Sequence, residues 1–229
     1  MSDTWKQDRA GKWTASEIWK LFVEPRNKAD KDAGKWSETA DAYITEKAVE
    51  RLTGERQQYT NKAMVHGIMN ETDALQYWSE VTKQNWTYTN RQFFAIDDIS
   101  GASPDAVLYD GIDVVAVCDV KCPQFMTFFT QRKAMIEDEP IERQYFYQLQ
   151  MQMMSCKAPK GFLVYYLAKE FANTFTGEVE HRFDLPLEQR IFFRQVDADQ
   201  AVQDEMRKKI HKAEARCQEI ISMLKNELL

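Results

Sequence analysis

The chain has 229 residues, 44% hydrophobic and 29% charged, which is enough for one substantial core and short for two domains. Eight Gly and six Pro exclude low-complexity linkers and favour long regular elements. A net charge of −6 excludes a DNA-binding surface spread over the whole protein, and the excess is uneven: residues 1–62 carry 12 basic and 11 acidic side chains, leaving −7 in residues 63–229. No run approaches the ~20 apolar residues of a membrane helix. The polar start, Met-Ser-Asp-Thr-Trp-Lys, is not expected to be a signal peptide, so a cytoplasmic location is expected. Cys118, Cys122, Cys156 and Cys217 fit no zinc or iron–sulfur spacing, so reduced thiols are expected.

In chain order, Thr14-Ala15-Ser16-Glu17 has the form of a capping box, with Ile18, Leu21 and Phe22 on the helix that follows. Pro25 ends it, and residues 26–37 read as a loop. A helix over 38–53 carries the stripe Ala40, Ile44, Ala48, Leu52 and stops at Gly54. Another, over about 60–83, carries Met64, Gly67, Glu71, Leu75, Trp78 and Val81, which places Glu71 inside an apolar seam. Strands are expected over 86–96, 102–109 and 113–121, the last two joined by a turn around Asp110-Gly111. Helices over 124–137 and 141–155 and strands over 161–168 and 178–185 follow. A helix over 187–228, with the seam Val202, Met206, Ile210, Ala213, Cys217, Ile221, Leu224 and Leu228, closes the chain. That order predicts a single α/β (α+β) domain over 1–229, its central mixed sheet flanked by helices.

The chemistry concentrates in Ser103-Pro104-Asp105 and Asp119-Val120-Lys121. Alternation puts Asp119 and Lys121 on one strand face with Val115 and Val117. An acid and a lysine ending a buried apolar run are costly unless paired or bound to a metal. A two-residue loop at Asp110-Gly111 sets Asp105 opposite Ala116; a four-residue loop at 110–113 sets it opposite Cys118, beside Asp119. The longer loop is preferred because it brings the acids within reach of one ion. Asp105, Asp119, Glu71 and the Val120 carbonyl form an oxygen set suited to Mg²⁺, with Lys121 beside the ion. A lone Asp-x-Lys is commonly a surface pair, and a lone Ser-Pro-Asp a turn or cap. The three together favour a metal-dependent nuclease.

At these residues the sequence resembles the PD-(D/E)xK nuclease superfamily, and within it the lambda-exonuclease branch of viral recombination exonucleases (YqaJ-type), which reads S-P-D-G and then L-E-x-K-C-P. Here the segments are Ser103-Pro104-Asp105-Ala106 and Cys118-Asp119-Val120-Lys121-Cys122-Pro123, with Ala for Gly and Asp for the commoner Glu. Arg9-Ala10-Gly11, Thr14–Glu17 and Pro25-Arg26 resemble the family's R-x-G-x-x-T-A-S-E segment and following P-R. Gly67–Glu71 resembles its acid helix, and Tyr147-Gln148-Leu149-Gln150 its Q-x-Q. The resemblance implies a restriction-endonuclease-like core and metal ligation by Glu71, Asp105 and Asp119. Lys121 would assist the attacking water, and Gln150 would support the site. Arg9, Ser16 and Arg26 would form a 5′-phosphate pocket, which suits free N–H groups in a first helical turn and bidentate guanidinium contacts.

It further implies two Mg²⁺ ions, for which Mn²⁺ can substitute, and 5′-to-3′ digestion of one strand of linear double-stranded DNA. The products would be 5′-mononucleotides and a 3′ single-stranded overhang. A homotrimer ring, a single-strand annealing protein as partner, and a phage or prophage origin in a bacterial host cell belong to the same expectation. The rivals are a PD-(D/E)xK endonuclease or junction resolvase, and a non-catalytic DNA-end-binding module. His66 is expected to be structural, and His181 and His211 to lie at the surface. Met151, Met153 and Met154 are expected in the core, as are Trp13, Trp19, Trp36, Trp78 and Trp86, with Trp13 or Trp36 as a possible wedge against a DNA end.

Overall fold

The computed structural model describes residues 9–56, 61–172, 179–182 and 184–227, with only the backbone described at 171–172 and 179–182. The central sheet forms around the nine-residue strand β6 (Asp113–Lys121). β6 pairs antiparallel with β5 (Ala106–Asp110) and parallel with β7 (Lys160–Tyr166). β2 (Thr87–Tyr88) and β10 (Ile191–Asp197) add the outer strands, giving the order β10-β7-β6-β5-β2. A parallel neighbour needs a long crossover, here helices α4 (Phe125–Ile136) and α5 (Arg143–Cys156). β1 (Trp13–Thr14), β3 (Phe94–Ala95) and β4 (Ser100–Ala102) form a second sheet, and β8 (Glu170–Ala172) pairs with β9 (Val179–Arg182).

Alternation along β6 builds two different layers. Ala116, Cys118, Val120 and Cys122 pack on Leu75, Trp78 and Trp86, mostly from α3 (Lys62–Thr82). Trp78 also packs at a tilt on Phe162 and Phe193, with centroids 5.6 and 4.9 Å away. Such ring pairs add about 0.5–1.5 kcal/mol each beyond area burial. On the other face, Val117 meets Phe128 of α4 and Leu149 and Met153 of α5. A third cluster holds Trp13, Ile18, Leu21 and Met151 against α2 (Glu38–Thr53) and the long closing helix α7 (Gln200–Glu227).

Several expectations are corrected. The capping box does not form: Thr14 lies in β1, and Ile18–Phe22 is a 3-10 helix without a side-chain cap. Glu17 instead meets Lys20 at 2.7 Å and Arg56 at 2.9 Å. Residues 26–37 contain a short helix, α1 (Lys28–Asp32), capped by Asn27. On α3, Leu75 and Trp78 are buried, but Met64 and Val81 are exposed, so the seam is shorter than its pattern. The final helix starts late, because residues 187–197 form α6 (Leu187–Arg190) and the edge strand β10. Met206, Ile210, Ala213 and Cys217 of the expected seam are buried, whereas Leu228 lies outside the described residues. Trp13 is fully buried and cannot act as a wedge. The methionines at 151, 153 and 154 are core, His66 is buried, His211 is exposed, and the His181 side chain is outside the described residues.

Candidate active site

The β5–β6 hairpin positions the acids. Its turn is Gly111-Ile112, closed by the pair Asp110↔Asp113, one residue later than expected. Gly111 takes φ +61°, where a side chain is disfavoured. Tyr109 pairs with Val114, as the longer loop requires, but Leu108 pairs with Ala116. Val115 is therefore the extra residue of a β-bulge, and Val114, not Val115, packs with Val117. The bulge advances β6 by one residue, so Ala106 pairs with Cys118. Asp105 then enters with its N–H donating to Cys118 O at 2.9 Å. Its Oδ2 accepts from the Val120 N–H at 2.7 Å.

Asp119 and Lys121 follow Val117 toward α5. Lys121 Nζ lies 2.6 Å from Asp119 Oδ2, a close ion pair. The ammonium also donates to Gln148 Oε1 at 3.3 Å and sits 4.9 Å from the Tyr145 ring centroid. Gln148 Nε2 donates to Asp119 Oδ1 at 2.5 Å, and Gln152 Nε2 donates to the same oxygen at 2.8 Å. One helical face thus grips one carboxylate oxygen and leaves the other toward the lysine.

Burial, then Asp119, then Glu71 push the Asp105 carboxyl well above the usual carboxylate range, against the pull of Lys121 and the Val120 N–H. Burial pulls the Lys121 ammonium down, but Asp119 and Asp105 outweigh it and the net shift is upward. Asp105 and Lys121 each keep some solvent exposure.

Glu71 stands apart. Its Oε2 is 3.5 Å from Arg91 Nη2, although its charge still reaches Asp105. Among the described residues, no three His, Cys, Asp or Glu side chains gather closely enough to hold a metal ion by themselves. The donor set nonetheless suits a hard divalent cation. Asp119 Oδ2 is buried against the Lys121 ammonium, and Asp105 carries a disfavoured negative charge. Strand alternation turns the Val120 carbonyl, like that of Cys118, to the side where Asp105 sits. Mg²⁺ commonly takes one or two protein carboxylates and completes its shell with water and phosphate.

Gln150 is corrected. It is fully buried, donating to Asp197 O at 2.9 Å and accepting from Asp199 N–H at 2.9 Å. Residues two apart point to opposite sides of a helix, so Gln150 faces away from Asp119, while Gln148 and Gln152, four apart, share the face toward it. That spacing was the available signal for Gln152. Arg91 had none, since it lies in a turn within the expected strand 86–96.

Arg9 Nη2 donates to Ser16 Oγ at 3.1 Å. Arg9 is buried and Ser16 exposed. Burial, with Arg56 and Arg91 nearby, lowers the Arg9 guanidinium to about 10. Arg26 is exposed, and among the described residues no hydrogen bond or ion pair joins it to Arg9 or Ser16.

A mixed sheet with paired acids at the mouth of its central hairpin, two crossover helices and a long closing helix defines a protein of exonuclease-like fold. The alkaline exonuclease LHK-Exo from Laribacter hongkongensis shares it, with TM-score 0.76, 22% identity, and coverage of 99% of this chain and 98% of that one. LHK-Exo in complex with dAMP gives TM-score 0.75 at 22% identity, covering 99% and 98%. A phage related exonuclease from Haemophilus somnus 129PT gives TM-score 0.71 at 21% identity, covering 95% and 96%. No curated protein matches the chain. The YqaJ-like viral recombinase domain model matches residues 4–159, and the chain belongs to that family. No described helix is long and apolar enough to cross a membrane.

Proposed function

We propose that this protein is a Mg²⁺-dependent exonuclease that digests one strand of linear double-stranded DNA from its 5′ end, releasing 5′-mononucleotides and leaving a 3′ overhang. The observation that carries the reading is the convergence of Asp105, Asp119 and Lys121, from two strands, on one polar site. Membership of a viral recombinase family supports it, as does the likeness of fold to an exonuclease crystallised with dAMP, a nucleoside monophosphate.

Asp105, Asp119 and the Val120 carbonyl would hold the cation, joined by Glu71 once it leaves Arg91. The bound cation would polarise the scissile phosphate and lower the pKa of the attacking water. Lys121, held by Asp119 and Gln148, presents a positive charge to the phosphate oxygens and orients the water. Gln148 and Gln152 fix the Asp119 carboxylate through Oδ1, so that Oδ2, on the Lys121 side, has a defined direction. Arg9 and Ser16 would seat the terminal phosphate and set the register of the strand.

The test is incubation with linear duplex bearing 5′-phosphate or 5′-hydroxyl ends, in Mg²⁺ or EDTA. Mononucleotide release from phosphorylated ends, only with Mg²⁺, is expected, and closed circles should stay intact. No release at all would refute the nuclease reading. Cutting of closed circles would favour an endonuclease.

A further inference from the structure

Thr89–Gln92 forms a turn between the acid centre and Arg9. Gln92 N–H donates to Thr89 O at 2.9 Å, and the two residues between them, Asn90 and Arg91, have φ of 50° and 66°. Two consecutive left-handed residues make a type I′ turn, which favours Asn first and Gly second. Arg at the second position carries backbone strain that Gly would not. The turn is also tied to the acid strand. Thr89 N–H donates to Asp105 O at 3.1 Å, and Thr89 Oγ1 donates to Pro104 O.

The Arg91 guanidinium acts on two groups. Toward the acids it meets Glu71 at 3.5 Å, with the two side chains 26% and 27% exposed. A long, partly solvated pair of this kind is weak and easily exchanged. The Arg91 charge also reaches Arg9, which feels Arg56 more strongly. Glu17 offsets part of that positive charge, but it is shared among Lys20 at 2.7 Å, Arg56 at 2.9 Å and Lys47 at 3.9 Å. A guanidinium on a serine hydroxyl, with two more within electrostatic reach of it, suits a phosphate, whose oxygens accept several charge-assisted hydrogen bonds at once.

We propose that Arg91 is a specificity-determining residue that exchanges partners, holding Glu71 in the free protein and the terminal phosphate when a DNA end is seated. This rests on the end-digesting reading above. The exchange releases Glu71 toward the cation only when an end is in place, so recognition of the terminus and completion of the acid centre become one event. It also gives a reason for a strained arginine where glycine is the easy choice.

The experiment compares the unmutated protein with Arg91→Gly and Arg91→Gln. Fluorescence anisotropy in EDTA gives the ratio of affinities for 5′-phosphate and 5′-hydroxyl duplex ends. Calorimetric titration of Mn²⁺ without DNA gives the metal affinity. Both variants should lose roughly tenfold in the phosphate ratio. Both should bind Mn²⁺ more tightly, because Glu71 is released. Arg91→Gly should melt no lower than the unmutated protein, since it relieves the turn. An unchanged phosphate ratio in the variants overturns the proposal, and unchanged Mn²⁺ affinity overturns the exchange. An unmutated protein indifferent to the phosphate refutes the underlying reading of the pocket, a result distinct from either.

Discussion

Asp105 reaches across the hairpin to accept the backbone N–H of Val120 at 2.7 Å. The contact ties the first acid to the residue between the second acid and the lysine. A hydrogen bond to a backbone donor favours the ionised carboxylate, yet burial, Asp119 and Glu71 win, and the carboxyl is pushed up. The site therefore holds an electrostatic cost that a cation would offset.

That cost has a sign in pH. A carboxyl whose folded pKa lies above its unfolded value stabilises the fold at low pH, and this contribution is lost as pH rises through the folded value. In EDTA at neutral and alkaline pH, Asp105→Asn should therefore melt higher than the unmutated protein and with a flatter pH dependence. Divalent cations should raise the melting temperature of the unmutated protein more than that of the variant. Thermal unfolding across pH, with and without Mg²⁺, checks both.

Gln152→Ala should lower turnover per folded molecule roughly 10–100-fold, because it removes a donor that orients Asp119, and should cost some stability as well, because Gln152 is fully buried. Gln150→Ala should affect stability alone. It strands the Asp197 carbonyl and the Asp199 N–H, costing about 1–3 kcal/mol, while turnover per folded molecule is kept. Urea unfolding and single-turnover cleavage of the two variants separate the roles.

Glu214 clamps α7 to the rest of the protein. It accepts from Arg51 at 2.6 and 2.8 Å and from Trp13 Nε1 at 3.0 Å. Burial alone would raise its pKa, but Arg51, Gln218 and Trp13 hold it at about 2. The stability it supplies is present above its unfolded pKa and lost as pH falls from there toward 2. Glu214→Gln should cost about 1–3 kcal/mol at pH 7 and almost nothing near pH 2, read from denaturant midpoints at the two pH values.

Gly101 leaves no room for a side chain. A Cβ there would lie 2.5 Å from Phe94 O and would also strike the Phe93 ring. Gly101→Ala should cost about 1–3 kcal/mol by forcing β3 and β4 apart. Because β4 leads directly into Ser103-Pro104-Asp105, cleavage should fall as well. Equilibrium unfolding and an activity assay at 10 °C and 37 °C would show the coupling.

Local chemistry left clear marks in this chain. Ser37 caps α2 and Gly54 ends it at φ 71°, both readable from residue type. β6 announces itself by the apolar, largely β-branched run Val114–Cys118, and strand geometry puts Asp119 and Lys121 on one face whatever the strand pairs with. β10 was not legible and falls inside the stretch expected as the start of the closing helix. Ile191, Phe192, Phe193 and Val196 fit a helical stripe as readily as a strand, and pairing with β7 decides between them.

The sequence by itself determined the kinds of groups present and the side of each element on which they stand, because those follow from backbone periods of two and 3.6 residues. It left the register of Asp105 open between two hairpin loop lengths, because neither residue pattern nor turn chemistry chose between them. Only the tertiary structure decided the bulge at Val115, the face of α5 turned to Asp119, and the meeting of Arg91 with Glu71. Those depend on register and on the rotation of one packed element against another, which are settled by contacts between residues far apart in the chain.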